Sequence, residues 1–144
     1  TFGAFTILTL GDDMDGELQV DTSQIVQSSP LIRSGIPFLT GRQNVTTTYR
    51  WSKVVTYATP ELARTAQFTA ATNLGSKYTG SKVATVKLYD QATPAVLVST
   101  CTYSTTTTPG DTPGAVIESV VPVIRDSLRL TTSYVMVCGE GTLT

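Results

Sequence analysis

The acidic run Asp12-Asp13-Met14-Asp15-Gly16-Glu17 is the first group of side chains that could bind a metal ion. An EF-hand calcium loop needs acids at alternate positions, glycine at the sixth and a bidentate acid at the twelfth. Placing Gly16 sixth puts Gly11 first and Thr22 twelfth, so two required oxygen ligands are missing. The run therefore predicts a solvated turn, with an irregular calcium site as the alternative. We expect no metal and no cofactor.

The chain has no histidine, the side chain that most often does acid–base work near neutral pH. Its absence removes every histidine-containing triad, dyad and metal site. A glycosidase would need two carboxylates facing one cleft. Glu118 alternates with Val116 and Val120 and could therefore point inward, but such a residue more often lies on the solvent face of a strand, which is the position we predict. We predict that the protein is not an enzyme; a small hydrolase using two of its carboxylates is the remaining enzyme alternative.

Two cysteines, Cys101 and Cys138, form neither a C-x-x-C pair nor a metal set with histidine. Free cysteine is among the most buried residue types, so we expect two small apolar side chains on strands. The alternative is a disulfide between Cys101 and Cys138, which would need an oxidising compartment or a virion exterior.

Trp51, with Tyr49 and Tyr57 on the same stretch, offers either an aromatic platform for a sugar or a core anchor. In the run 44–57, residues Val45, Thr47, Tyr49 and Trp51 alternate with polar side chains, which predicts a strand. Tryptophan on such a strand is more often buried, so we predict a core anchor.

The composition of the chain indicates the kind of fold that positions these residues. Threonine accounts for 27 of 144 residues, and threonine, valine and isoleucine together for a third. These β-branched residues suit a pleated sheet, and we expect the threonines on its outer faces. Leucine, isoleucine, valine and phenylalanine make up about a quarter, enough to fill a core. We predict one domain, residues 1–144.

Charge and hydropathy exclude several partners. The net charge is −1 and the basic residues are scattered singly, so we predict no nucleic-acid binding. No window approaches the roughly 18 apolar residues of a membrane span, and no charged segment leads into an apolar one as in a signal peptide. We therefore expect no membrane partner and find no signal peptide in this sequence. Two alternatives stay open: a cytoplasmic product that lost its initiator methionine, and a mature chain whose leader was removed.

The order of elements predicts a mainly β fold: an antiparallel β-sandwich or barrel-like sheet of about eight strands with one flanking α-helix. Pro30 and Pro37 interrupt one extended segment and indicate an edge strand or a bulged connection. The strands are expected at 2–10, 17–20, 25–39, 44–57, 83–89, 95–103, 115–124 and 128–137.

The helix is expected over residues 60–74. Thr59-Pro60-Glu61 supplies an N-cap hydroxyl, proline at the first position and an acid in the first turn. Gly75 is expected to end the helix as a left-handed cap. The buried stripe is predicted to consist of Leu62, Ala63, Ala66, Ala70 and Leu74.

A proline-interrupted strand at 31–38 leads into Gly41-Arg42-Gln43-Asn44, then a threonine-rich strand, a short helix at 60–74, and hairpins ending in Val116-Ile117-Glu118-Ser119-Val120. This order resembles small structural proteins of tailed bacteriophages, of the tail, neck or capsid-decoration kind. The resemblance implies a β-sandwich or barrel with one flanking helix that assembles in rings or lattices.

From this resemblance we expect a structural virion protein that self-assembles or binds neighbouring virion subunits, located in the particle. The alternative is a secreted, extracellular carbohydrate-binding or adhesin-type β-sandwich module. Subunit contacts through edge strands and loops are predicted at Arg33, Ile36, Phe38, Arg42, Thr107, Pro109 and Asp111.

Overall fold

The fold consists of seven strands and one helix. A computed structural model describes residues 1–30, 37–104, 114–139 and 141–144; for 24–30 and 37–45 it describes the backbone. The elements are β1 Gln19–Pro30, β2 Pro37–Thr56, α1 Pro60–Ser76, β3 Ala84–Tyr89, β4 Leu97–Tyr103, β5 Ala115–Ile124, β6 Arg129–Cys138 and β7 Thr142–Leu143.

The strands form two antiparallel sheets, in the orders β1-β2-β6-β5 and β3-β4-β7. The mainly β prediction is confirmed, and the arrangement is sandwich-like. Among the described residues the sheets do not close into a barrel, and the strands number seven rather than eight. β1 is an edge strand, as the prolines predicted.

The strand predicted over residues 2–10 is absent, and the structure has a turn and an irregular segment there. The Phe2 N–H donates to the Phe5 carbonyl at 2.8 Å, and Gly3 between them has φ of 58°. Such a backbone suits glycine and turns the chain away from β3 after one bridge between Phe2 and Ala84. Alternation alone did not reveal this turn.

The prediction of one extended element over 25–39 is also wrong, because 25–30 belong to β1 and 37–39 to β2, which pair antiparallel. The short strand β7 was not predicted.

Helix α1 begins as predicted and ends later. The Thr59 side chain accepts from the Leu62 N–H at 3.3 Å. The helix continues through Ser76, so the predicted end at Leu74 with Gly75 as its cap is wrong. The C-cap is Lys77 in the right-handed region, and its carbonyl accepts from Lys82 Nζ at 2.8 Å. Because this amine satisfies a terminal carbonyl, a left-handed glycine is not required.

The buried side of α1 follows the alanine stripe except at its first member. Ala63 is fully buried, whereas Leu62 is 52% exposed, so the prediction for Leu62 is wrong. Gln67 Nε2 donates to the Pro122 carbonyl at 3.3 Å and fixes the helix against β5. The small alanine side chain lets the helix approach the sheet closely.

The core lies between the two sheets. Tyr49 and Trp51 both face inward, as the alternation predicted, and the Tyr49 and Tyr103 hydroxyls join the layers at 2.6 Å. The buried residues of this core are Phe2, Ile7, Tyr49, Trp51, Ala84, Tyr103, Ala115, Ile117, Val120, Met136 and Cys138.

Three threonines contradict the expectation that threonine marks outer faces. Thr47, Thr131 and Thr132 are buried. All three lie on β2 or β6, the central strands of the larger sheet, where neighbouring strands on both sides shield them.

Candidate functional site

The β1–β2 hairpin extends past the sheet that anchors it. β2 pairs with β6 only from Thr47 to Thr56, whereas its pairing with β1 continues to the Pro30–Pro37 pair. Residues 24–30 and 37–45 therefore form a two-stranded ribbon, which we call the arm. Within the described part of the chain, no third strand pairs with the arm.

Two irregularities shape the arm. The β1–β2 register shifts between Ser23 and Ile25 and again between Gln27 and Ser28. Each shift places an extra β2 residue opposite β1, and such bulges bend and twist a ribbon. Pro30 and Pro37 face each other at its far end, and neither has a backbone N–H.

A cavity of about 460 Å³ opens between the sheets on the β3 side. We call it the groove. β2 and β6 supply Tyr49, Trp51 and Met136 from the core. The remaining lining comes from the start of the chain and from β3: Thr1, Thr6, Ile7, Leu8, Thr9, Leu10, Gly11, Asp12, Met14, Leu18, Thr85, Val86, Lys87 and Tyr89. This second set mixes aliphatic side chains with threonines and with two charged side chains, Asp12 and Lys87.

Trp51 is a core anchor, as predicted. Its side chain is 7% exposed and stacks on Tyr134, with ring centroids 5.2 Å apart and planes 15° from parallel. Burial raises the pKa of Tyr134 to about 12. The Trp51 Nε1 is buried without an acceptor among the described residues. An exposed aromatic platform for a sugar is therefore not present at Trp51.

The acidic run lies at the edge of the groove, and ion pairs occupy part of it. The Asp12 carboxylate accepts from Lys53 Nζ at 2.9 Å and from the Thr9 N–H at 2.7 Å. These hydrogen bonds hold the pKa of Asp12 below its ordinary value. Asp15 pairs with Arg125 at 3.1 Å.

Two acids of this run, Asp13 and Glu17, are exposed and form no ion pair with any described residue. Neither side chain is among those that line the groove, although the residues that follow them, Met14 and Leu18, are. In the part of the chain that the structure describes, no three acidic, cysteine or histidine side chains lie close enough to hold a metal ion.

The cysteines are free thiols on facing sheets, Cys101 half-buried on β4 and Cys138 buried on β6. Burial, with a smaller contribution from Cys101, raises the pKa of Cys138 to about 12. A thiol that stays protonated near neutral pH is a poor nucleophile. The disulfide between Cys101 and Cys138 remains a prediction.

The predicted contact residues fall on two segments. Phe38 and Arg42 lie on the arm strand of β2. Arg33, Ile36, Thr107, Pro109 and Asp111 lie outside the described residues. Glu118 is exposed beside a register shift in β5, on the solvent side as expected.

The groove is the feature that the sequence analysis missed. Residues 6–14 cross it as an irregular segment, and Ile7 is buried while the adjacent Leu8 is half-buried. A strand that is buried on one side carries apolar residues at alternate positions. Apolar residues at the adjacent positions 7 and 8 were therefore a sign that this segment is not such a strand.

The described part of the chain contains no helix long and apolar enough to cross a bilayer. Comparison with known proteins gives no match to a family model, to a curated protein or to a solved structure.

Proposed function

We propose that this protein is a structural subunit that assembles with copies of itself through the arm, as a component of a tailed-bacteriophage particle. The observation that supports this proposal is the length of the β1–β2 pairing. It continues from Ile25 to Pro30 beyond the last β2 residue that β6 covers, about 20 Å of ribbon at about 3.3 Å per residue.

An isolated two-stranded ribbon is marginally stable in water. Both of its edges also present backbone N–H and C=O groups that another chain can pair with. A partner that covers the arm supplies the missing third strand or second layer. The physical cost of leaving the arm uncovered therefore favours association.

The composition of residues 24–45 adds an apolar driving force. Residues 24–45 include eight large apolar residues, two arginines and no acid. The apolar members are Ile25, Val26, Leu31, Ile32, Ile36, Phe38, Leu39 and Val45. Their burial against a neighbour would contribute roughly 25 cal/mol per Å² of apolar surface removed from water.

A second exposed surface allows the arm to be tested selectively. Val116, Val121 and Val123 of β5 are 38%, 49% and 46% exposed. If copies instead associate through the outer face of the larger sheet, a charge at Val121 will disrupt assembly. The proposal assigns assembly to the arm and leaves Val121 outside the contact.

The test is to shorten the arm at a register pair. Gln27 and Gly41 are partners, so residues 28–40 are replaced by Asn-Gly, a two-residue hairpin turn. We expect the full chain to assemble with rising concentration in multi-angle light scattering, and the shortened chain to stay monomeric. Val121→Lys is the matched surface control and should assemble like the wild type. A monomeric full chain, or equal assembly of full and shortened chains, contradicts the proposal.

Electron microscopy of the assembled protein tests the virion setting separately. We expect closed rings, tubes or a regular lattice, since a subunit of a particle must repeat one contact geometry. Irregular aggregates without a repeat would contradict that setting.

A further inference from the structure

We propose that the space between α1 and the strands β2 and β6 binds a neutral saccharide unit. We call this space the helix cleft. Its volume of about 370 Å³ lies within the range of about 300–1,000 Å³ typical of ligand sites. The helix cleft is separate from the arm, so this inference goes beyond the proposed function and does not depend on assembly.

The helix cleft exists because α1 packs mainly against β5. Ala63 is fully buried, and Gln67 Nε2 donates to the Pro122 carbonyl of β5 at 3.3 Å. The positions of α1 that line the cleft are 62, 65, 66, 69, 70 and 73, which recur at intervals of three and four and therefore share one side of the helix. Four of these six are threonine or alanine, short side chains that leave space in front of the sheet.

The opposite wall of the helix cleft comes from the larger sheet. Lys53 pairs with Thr132 and Val55 pairs with Leu130, so these four side chains lie on the side of the sheet that faces α1. Tyr134, two residues further along β6, lies on the same side. Thr132 is 6% exposed. Its hydroxyl is therefore a polar group that lines the cleft from a buried position.

Polar groups without a partner collect in the helix cleft. Five side chains that line it form no hydrogen bond with any other described residue: Tyr57, Thr65, Asn73, Thr132 and Tyr134. Buried polar groups in native proteins are nearly always hydrogen-bonded, so we expect the partner of the Thr132 hydroxyl to be a bound molecule. Hydroxyl and amide groups both donate and accept. A ligand that carries several hydroxyl groups matches this set, since each of its hydroxyls does the same.

The electrostatics of the helix cleft favour an uncharged ligand. Lys53 is the only charged side chain among the described residues that line it, and its ammonium donates to the Asp12 carboxylate at 2.9 Å. An anionic ligand would compete with Asp12 for this ammonium, and a cationic one would meet it as a like charge. Val55, Leu130 and the tyrosine rings supply apolar surface for the C–H side of a pyranose ring.

The test titrates the full chain with the methyl glycosides of glucose, galactose, mannose and N-acetylglucosamine and follows the side-chain amide of Asn73 by NMR. We expect at least one glycoside to shift this resonance in a saturable way, with a Kd in the millimolar range or tighter. The corresponding uronic acid should bind more weakly. Binding by none of the four, binding that leaves Asn73 unchanged, or tighter binding of the uronic acid would each contradict the proposal.

Two adjacent threonines of β6 give a matched pair of variants. Thr132→Val removes the hydroxyl in the cleft, whereas Thr131→Val removes one on the other side of the sheet, and both threonines are buried. We expect Thr132→Val to raise the Kd about threefold to tenfold, as for one lost hydrogen bond. Thr131→Val and Thr132→Ser should bind like the wild type. Equal Kd values for Thr132→Val and Thr131→Val in isothermal titration calorimetry would overturn the site.

Asn73→Ala keeps the test decisive if Thr132→Val does not fold. The Asn73 side chain is half-buried and forms no hydrogen bond with any described residue, so its removal should leave the fold intact. Its Kd should rise by a similar factor, while Thr72→Ala, at an exposed position of α1 outside the cleft, should bind like the wild type. An unchanged Kd in Asn73→Ala would contradict binding in the helix cleft.

Discussion

The body of the molecule and its arm differ in what covers their strands. In the body, the inner side of the larger sheet packs against α1 and the smaller sheet, and Phe2, Ala84, Ala115 and Cys138 are fully shielded from solvent. In the arm, the same two strands, β1 and β2, continue with only each other as neighbours in the described chain. Over about half of their length β1 and β2 thus belong to a four-stranded sheet, and over the rest they form a two-stranded ribbon that no other described strand pairs with.

This difference separates stability from assembly. Substitutions in the body should change the free energy of unfolding, whereas changes in the arm should alter association and leave the body folded.

Phe2→Ala should have the largest effect on the body. Phe2 has no exposed surface, and its ring meets Tyr78 edge-on with centroids 6.1 Å apart. Removing a buried phenylalanine ring costs about 3–5 kcal/mol through lost burial and the cavity left behind. Urea unfolding measures the loss. Phe68→Ala, at a ring that is 73% exposed, is the control and should shift stability by at most about 0.5 kcal/mol.

High pH should destabilise the body next. Burial raises the pKa of Cys138 and of Tyr134 to about 12, and it also raises the pKa values of Tyr49, Tyr78 and Tyr103. Between the ordinary values and these raised values, the unfolded chain has released protons that the folded chain retains. The free energy of unfolding therefore falls as pH rises above about 9, by up to about 1.4 kcal/mol per pH unit for each group.

Urea midpoints at pH 8 to 11 follow this loss. Tyr103→Phe removes one of these five groups and should make the decline of the free energy of unfolding shallower. A decline of unchanged steepness in Tyr103→Phe would contradict the contribution assigned to this hydroxyl.

Asp12→Asn should lower the free energy of unfolding by about 1 kcal/mol at pH 7, because the ion pair between Asp12 and Lys53 is three-quarters buried. The pKa of Asp12 is depressed, so this stability is present above its ordinary value of 3.8 and is lost as pH falls through the folded value. Wild type and Asp12→Asn should therefore converge in acid. Asp21→Asn, at a carboxylate that is 74% exposed, should have a smaller effect.

Replacing residues 28–40 by Asn-Gly should change the unfolding of the body least, by less than about 0.5 kcal/mol, since none of these residues pairs with β6. Thermal unfolding of the shortened chain under monomeric conditions measures this. A loss comparable to that of Phe2→Ala would mean that arm and body are one cooperative unit.

Local patterns predicted the elements whose determinants lie within a few residues. Alternation from Val45 to Trp51 identified the inward side of β2, and Thr59-Pro60 identified the start of α1. The end of α1 was missed because the amine that satisfies its terminal carbonyl belongs to Lys82, outside the helix. Thr131 is buried because β6 is a central strand of the larger sheet. The sequence of residues 128–137 alone does not indicate which strands lie beside β6.

The arm was predictable in part and the groove was not. Pro30 and Pro37 indicated an edge strand, but the length of the ribbon depends on where β6 stops pairing with β2. The groove joins residues from the start of the chain to β2, β3 and β6, so no local spacing describes it.

Hydrogen–deuterium exchange of the full chain at low and high protein concentration distinguishes assembly through the arm from assembly through another surface. We expect backbone amides of the arm to become protected as concentration rises, while those of β5 and α1 remain unchanged. Protection that appears on β5 instead, or an arm whose exchange is independent of concentration, would contradict assembly through the arm.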